Sequence, residues 1–318
     1  MKKKQIRNSL LLVLTALVWG IAFVAQSTGG DAIGPYSFNS IRSIIGSLVL
    51  IPVIFLLDRI NPSGKRPKTK EEKRTLLLGG FCCGTVLFLA STAQQLGIYY
   101  GTSAGKAGFL TACYILLVPV FGLFLKKKCG INIWIGIVIA IAGLYLLCMK
   151  DSISFQTSDL MVLLCAVLFA LHILVVDHFS PLVDGVRMSC IQFLVCGVWG
   201  CFPMVFSDMR QQTLSGWLSA LGSLDAWIPI LYAGIFSCGV GYTLQIVGQN
   251  GLNPTVASMI MSLESVFAAL GGWLILHNTM TAAELTGCAF VFAGVIISQL
   301  PVKKLFRSAV HTDSGKVL

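Results

Sequence analysis

The chain has 318 residues, 56% of them hydrophobic and only 11% charged, against about 25% charged in an ordinary soluble domain. This composition excludes a soluble globular fold, and apolar runs that are continuous rather than alternating exclude a membrane β-barrel. The net charge of +10 does not point to a nucleic-acid partner, because Lys and Arg cluster in short segments between apolar runs.

Runs of about twenty apolar residues, the length needed to cross the hydrocarbon core, recur along the whole chain. Five are predicted in the first half, over Ser9–Ser27, Tyr36–Leu57, Thr75–Ile98, Ser103–Leu125 and Ile131–Met149. Five more follow, over Leu160–Phe179, Met188–Phe206, Trp227–Val247, Pro254–Leu276 and Leu285–Val302. The first run, preceded by Lys2 to Lys4 and Arg7, has the outline of a signal peptide. It is long for one and further spans follow, so an uncleaved first helix is expected. The stretch Ser207 to Ala226, with Trp217, Leu218 and Leu221, is expected to lie along the interface as a short amphipathic piece. Residues 306–318 read as a polar cytoplasmic tail.

With the N-terminus placed in the cytoplasm, nineteen Lys and Arg fall in inside segments and two, Lys150 and Arg210, outside. Both termini are therefore expected in the cytoplasm of a bacterial-type cytoplasmic membrane. The eleven cysteines, among them Cys82, Cys83, Cys113, Cys165 and Cys196, sit mostly inside apolar runs without metal-type spacing. They read as small apolar residues, and no metal and no cofactor are expected.

Sliding the chain on itself by 150 residues brings Ala16 onto Ala166, Trp19 onto Phe169, Gly84 onto Gly234, Gln95 onto Gln245, and Gly101 onto Gly251. One residue further along, Gly136 meets Gly287 and Gly143 meets Gly294. Ordered matches at near-constant offset indicate a duplication of residues 1–150 in 151–305. Five helices per half is an odd number, so the second half enters the membrane inverted. The expected fold is an all-α polytopic membrane protein of ten transmembrane helices, a 5+5 inverted-topology repeat with a substrate site between the halves.

Trp19-Gly20 with Phe23, Phe38 with Arg42, Thr102 to Gly108 (TSAGKAG) through Pro119, Leu263 to Ala269 (LESVFAA), and Gly287 with Gly294 together resemble the EamA-type carriers of the drug/metabolite transporter superfamily. The resemblance covers nearly the whole chain. It implies a central cavity and transport of small metabolites, often outward. Many relatives carry a Gly-Glu pair where this chain has His277-Asn278, and a Glu-Pro pair where it has Glu264-Ser265. A coupling carboxylate carries over only at Glu264.

A charge at the bilayer centre costs about 2.5–3.5 kcal/mol on insertion scales, so each intramembrane charge is a candidate site. Glu264, about 15 Å into its helix from Pro254, is the first candidate, as a site for a substrate amine or a coupling proton; the alternative is a structural hydrogen bond. Arg42 would bind a substrate carboxylate, pair with Glu264, or snorkel outward. Snorkelling is the favoured reading for Lys106. Tyr114 is the 150-offset mate of Glu264, although aligning Pro119-Val-Phe with Ser265-Val-Phe shifts that register by four residues. Further candidates are His172, with interior packing as its alternative, Gln95 and Gln245, with interhelical hydrogen bonding as theirs, Trp19, with lipid-facing packing as the default, and Pro119 as a conformational kink. The small residues Ser258, Ser262, Ser265, Ala269 and Gly272 read as a packing seam.

The function these residues suggest is secondary transport of a small organic metabolite, amino acid-like or related, by alternating access and in the direction of export. Its partners are the lipid bilayer, a small-molecule substrate and a coupling proton. Multidrug export of amphiphilic cations is the alternative. A receptor or intramembrane enzyme fits poorly, because no Ser/His pair or paired intramembrane carboxylates are evident.

Overall fold

A chain in lipid must satisfy its backbone internally, and in the computed structural model the described residues are helices joined by short turns, with no strand. The described residues are 2–60, 66–102, 104–127, 129–148, 156–211, 213–276 and 281–300. The His277-Asn278 departure, Lys150 and the predicted tail lie outside them. Eight helices are long and apolar enough to span a membrane, and two shorter apolar helices complete a set of ten passages among the described residues.

The first half comprises α1 (Lys2–Ile33), α2 (Pro35–Ile60), α3 (Lys70–Tyr99), α4 (Ala104–Ala112 and Tyr114–Phe124) and α5 (Ile131–Cys148). The second comprises α6 (Thr157–Phe179), α7 (Gly185–Pro203), α8 (Leu224–Leu231 continuing to Gln249), α9 (Pro254–Met261 and Leu263–Leu276) and α10 (Ala282–Gln299). All ten predicted spans are present, but their ends differ from the hydropathy boundaries. The start of α3 moves back to Lys70 because Thr69 and Glu72 form a reciprocal capping box. Such a cap satisfies orphan amides in water, ahead of the point where lipid begins. The wide π-turns Met204–Asp208 after α7 and Tyr232–Tyr242 within α8 carry no hydropathy signal.

Turn chemistry repeats between the halves. Gly101, between α3 and α4, and Gly251, between α8 and α9, both have positive φ (111° and 82°), a conformation that only glycine adopts freely. The helix pairing also repeats. The α1 helix packs along α8 and α9, while α6 packs along α3 and α4; α2 pairs with α7, and α5 with α10. These contacts map onto one another when the halves exchange, as a two-fold axis in the membrane plane requires.

The α5–α10 pair shows why glycine is needed there. A Cβ on Gly143 would lie 2.7 Å from the Gly287 carbonyl oxygen, and one on Gly287 would lie 2.6 Å from that of Gly143. Gly136 and Gly294 repeat the crossing, with 2.6 and 2.5 Å to each other's carbonyl oxygens. Close approach of small residues supplies packing contacts where lipid removes the hydrophobic drive.

Apolar side chains such as Phe55, Phe124, Val138 and Phe202 face outward, while Asn39, Ser189, Gln192 and Glu264 are buried. On the face opposite the N-terminus, the expected amphipathic piece is the helix Leu214–Leu221. Leu214 and Leu218 are exposed, but Trp217 is tucked inward and donates its indole N–H to Ser37 Oγ at 2.9 Å. The piece therefore caps the start of α2 rather than only lying on a lipid surface. Beside it, the buried carboxylate of Asp208 accepts from the Ser37 backbone N–H at 2.6 Å. At the other face, Arg187 at the start of α7 holds Asp58 at the end of α2 through contacts of 2.6 and 2.7 Å.

Gly143→Ala and Gly287→Ala are each expected to lower stability by about 1–3 kcal/mol, the usual cost of overpacking, read as a fall in thermal midpoint of the purified protein. Gly108→Ala, whose Cβ would meet nothing nearer than Ser265 Oγ at 3.7 Å, should change stability by no more than about 0.5 kcal/mol.

Candidate functional site

Both α4 and α9 break in mid-course, at Cys113 and Ser262. Both breaking residues have ψ of −12°, and the next turn closes with short-range bonds from Leu116 N–H to Cys113 O (3.0 Å) and from Ser265 N–H to Ser262 O (3.3 Å). The side chains help to satisfy the interrupted ladder, since Ser262 Oγ donates to Met259 O at 2.8 Å and Cys113 Sγ to Phe109 O at 3.5 Å. Irregular backbone at membrane depth is tolerated where protein buries it or a cavity borders it.

The break of α4 precedes Pro119 by six residues and so does not lie at the proline. A proline ring perturbs the turn just before it, reaching back to residue i−4, which is Ile115 here. The matched break in α9 has Ser265 and Ala269 in the corresponding region and no proline. The interruption is a property of the repeated fold, and Pro119 is buried within the following segment.

Tyr114 directly follows the break at Cys113, and Glu264 lies two residues after the break at Ser262. Tyr114 donates its hydroxyl to Glu264 Oε1 at 3.4 Å, and both side chains are buried. The 150-residue offset therefore joins mates that touch across the axis, and the four-residue alternative is not the structural register. Gly20 lets α1 approach this point closely, since a Cβ there would lie 2.7 Å from the Glu264 carbonyl oxygen.

Around this contact lies a cavity of about 30 Å³. Its aromatic walls are Trp19, Phe23, Tyr114, Phe169 and Tyr242, and its polar groups come from Gln26, Arg42, Gln94, Thr111, Ser237 and Glu264. The Trp19 and Tyr242 rings pack with centroids 4.5 Å apart. The buried Trp19 Nε1 and Gln26 Oε1 have no hydrogen-bond partner. Pockets holding drug-sized ligands span about 300–1,000 Å³, whereas this one has room for about one or two water-sized groups.

Arg42 neither snorkels nor pairs with Glu264. Its Nε and Nη2 donate to Asn39 Oδ1 at 3.1 and 2.9 Å, and Asn39 is fixed in turn by Ser91 and Thr92 at 3.0 and 3.1 Å. The guanidinium also lies 5.2 Å from the Phe38 ring centroid. This scaffold holds the cation inward, at the cavity wall.

Lys106 is likewise not left to snorkel. It forms an ion pair at 2.5 Å with Asp159, in the first turn of α6, and Asp159 also accepts from Thr102 Oγ1 (2.9 Å) and Gln156 N–H (2.8 Å). This cluster ties the two halves together away from the cavity. Sequence reasoning missed Asp159 because it lies just before the predicted start of its span. Its signal was the first-turn position, where a carboxylate caps free amides.

Gln95 turns away from the cavity and donates to Gln26 O at 2.8 Å, while its neighbour Gln94 lines the wall and donates to Thr111 Oγ1 at 3.0 Å. Gln245 is buried outside the cavity, as is His172, whose Nε2 lies 3.2 Å from Gln192 Oε1. The structure thus brings Glu264, Arg42, Tyr114 and Trp19 to one cavity and leaves Lys106, His172, Gln95 and Gln245 out of its lining. It adds Tyr242 and Ser237, carried by the π-turn of α8, a distortion often found at functional sites. The described seam serines Ser258, Ser262 and Ser265 are buried.

Two inverted sets of five helices meeting at matched breaks beside a central cavity define a membrane protein built like the inverted-repeat transporters. The chain belongs to the EamA-like transporter family, whose profile matches residues 7–149 and again 156–300. It is a membrane transporter of the drug/metabolite transporter superfamily, and several of its relatives carry transporter names. One, an uncharacterized transporter of Archaeoglobus fulgidus, is 26% identical over 303 residues, covering 94% of this chain and 88% of its own. The transporter YoaV of Bacillus subtilis is 24% identical over 296 residues, covering 90% and 94%. A chloroplastic WAT1-related protein of Arabidopsis thaliana is 24% identical over 301 residues, covering 92% and 69%. A solved crystal structure superposes with a TM-score of 0.73 at 16% identity, over 94% of this chain and 98% of that one, a likeness of fold alone.

Lys106→Met should lower stability by about 1–3 kcal/mol, because it leaves the buried Asp159 carboxylate without its cation. The double substitution Lys106→Met with Asp159→Asn should cost less than the sum of the two single changes. Thermal unfolding of the four proteins in one detergent checks this.

Proposed function

We propose that the protein is a secondary active transporter that moves a small organic metabolite, an amino acid or related compound, across a bacterial-type cytoplasmic membrane. Transport proceeds by alternating access, outward, with a proton as the coupling ion. Supporting the orientation, nineteen of the Lys and Arg residues belong to sequence segments on the N-terminal side of the predicted spans, the side that the positive-inside rule makes cytoplasmic. Supporting alternating access, two inverted halves of one fold have two arrangements of similar energy, each opening to one face.

The observation that carries this reading is Glu264, a buried carboxylate at the meeting of the broken helices, within the same cavity as the inward-held Arg42. A cation and an anion on one wall suit a zwitterion, with its ammonium group at Glu264 and its carboxylate at Arg42. The aromatic lining favours a second reading, export of amphiphilic cations, since rings such as Trp19 and Tyr242 attract positive charge and apolar surface. Arg42 separates the two, because a simple cation does not need it.

Purified protein in liposomes, tested with amino acids and with amphiphilic amines at several pH values, provides the experiment. Glu264→Gln should weaken transport roughly ten- to a hundredfold, as loss of a charge-assisted contact of about 1.5–3 kcal/mol implies. Wild-type transport by Glu264→Gln at every pH would end this assignment. Arg42→Gln should impair zwitterion transport and spare simple amines; equal transport of both by Arg42→Gln would favour the cation exporter. Uptake by protein-free liposomes equal to that of loaded ones would reject transport of the compounds tested.

A further inference from the structure

The cavity is lined from the halves of the helices remote from the N-terminal face: Trp19, Phe23 and Gln26 lie late in α1, Arg42 early in α2, and Gln94 late in α3. Applying the 150-residue offset to this lining produces a second set, on the other side of the Tyr114–Glu264 contact. Ala22 maps to His172, Arg42 to Gln192, Gln94 to Leu244 and Thr111 to Met261. His172, Gln192 and Met261 are fully buried, and His172 Nε2 meets Gln192 Oε1 at 3.2 Å.

This second set carries an unusual polar load. His172 Nδ1 and Gln192 Nε2 are buried without a hydrogen-bond partner, and so, further toward the N-terminal face, are Gln245 Oε1 and both side-chain polar atoms of Gln249. Each such group costs about 1–3 kcal/mol when left unsatisfied, and packing alone gives no reason to gather them. Tyr242 separates them from the cavity, with its ring 4.5 Å from Trp19 on one side and 6.1 Å from His172 on the other.

We propose that His172 and Gln192 form a second binding half-site, on the N-terminal side of the Tyr114–Glu264 contact, which takes the substrate's polar group when the carrier opens to that face. They then hold the places that Ala22 and Arg42 hold in the present state. The half-site binds by neutral hydrogen bonds where its mate offers a guanidinium. A carboxylate is accordingly held more tightly on the Arg42 side. This rests on the alternating-access reading above.

The test uses side-specific labelling by a membrane-impermeant maleimide, in a background whose native cysteines are replaced by alanine or serine. Right-side-out and inside-out membrane vesicles each present one face. Ala22→Cys should react only from the face opposite the N-terminus. Gln192→Cys and His172→Cys should react from the N-terminal face, at least about tenfold faster than from the other, a preference worth about 1.4 kcal/mol. Met261→Cys separates the failures. If Met261→Cys reacts from the N-terminal face while Gln192→Cys and His172→Cys do not, the half-site is wrong and alternating access stands. If no inner-half cysteine reacts from that face, alternating access fails and the half-site with it. The unsubstituted protein supplies a reading independent of mutation: hydroxyl-radical footprinting in liposomes should oxidise His172, and complete protection would contradict the half-site.

Discussion

The interior of a bilayer offers no partner to a backbone amide or carbonyl, so an interrupted helix there must be satisfied by the protein itself. This chain interrupts two, at Cys113 and Ser262, and closes both with short-range backbone bonds and side-chain donors. The rest of the architecture is arranged around that constraint. Gly20 brings α1 against α9 at the Glu264 carbonyl, and α6 packs along α4 in the matching position. Tyr114, one residue past the first break, and Glu264, two past the second, then meet in the middle.

On this near-symmetric frame the chemistry is not symmetric. Glu264 faces its own mate as a tyrosine, Arg42 has a glutamine as mate at Gln192, and Trp19 has Phe169. In the alternating-access reading proposed above, the backbone repeat would supply two arrangements and the side-chain differences would decide what each holds. The α5–α10 pair, closely packed through reciprocal glycine contacts, lies outside the cavity lining.

Hydropathy alone located the ten passages, because lipid rewards an apolar run whatever its details. Helix ends were less legible, since they depend on caps such as Thr69 with Glu72, polar residues that a search for apolar runs passes over. The breaks were illegible for a different reason: cysteine and serine are ordinary in membrane helices, and Pro119 lies six residues beyond the break in α4. Glu264 and Arg42 stood out because charge in lipid is costly. Lys106 stood out equally but proved to be half of a cluster whose other half, Asp159, lay outside the predicted span. The repeat offset correctly paired Tyr114 with Glu264 but selected Gln95, whose side chain turns away, over Gln94. A single position along a helix rotates a side chain by about 100°, and only packing reveals which of two neighbours faces inward.

The contact at the centre can be measured directly by a double-mutant cycle on Tyr114→Phe, Glu264→Gln and their combination, reading thermal stability in lipid nanodiscs. If the two mates meet across the axis, their effects should be non-additive by more than about 0.5 kcal/mol. Additivity within about 0.3–0.5 kcal/mol would show that the two residues do not touch and would contradict the proposed meeting of the broken helices.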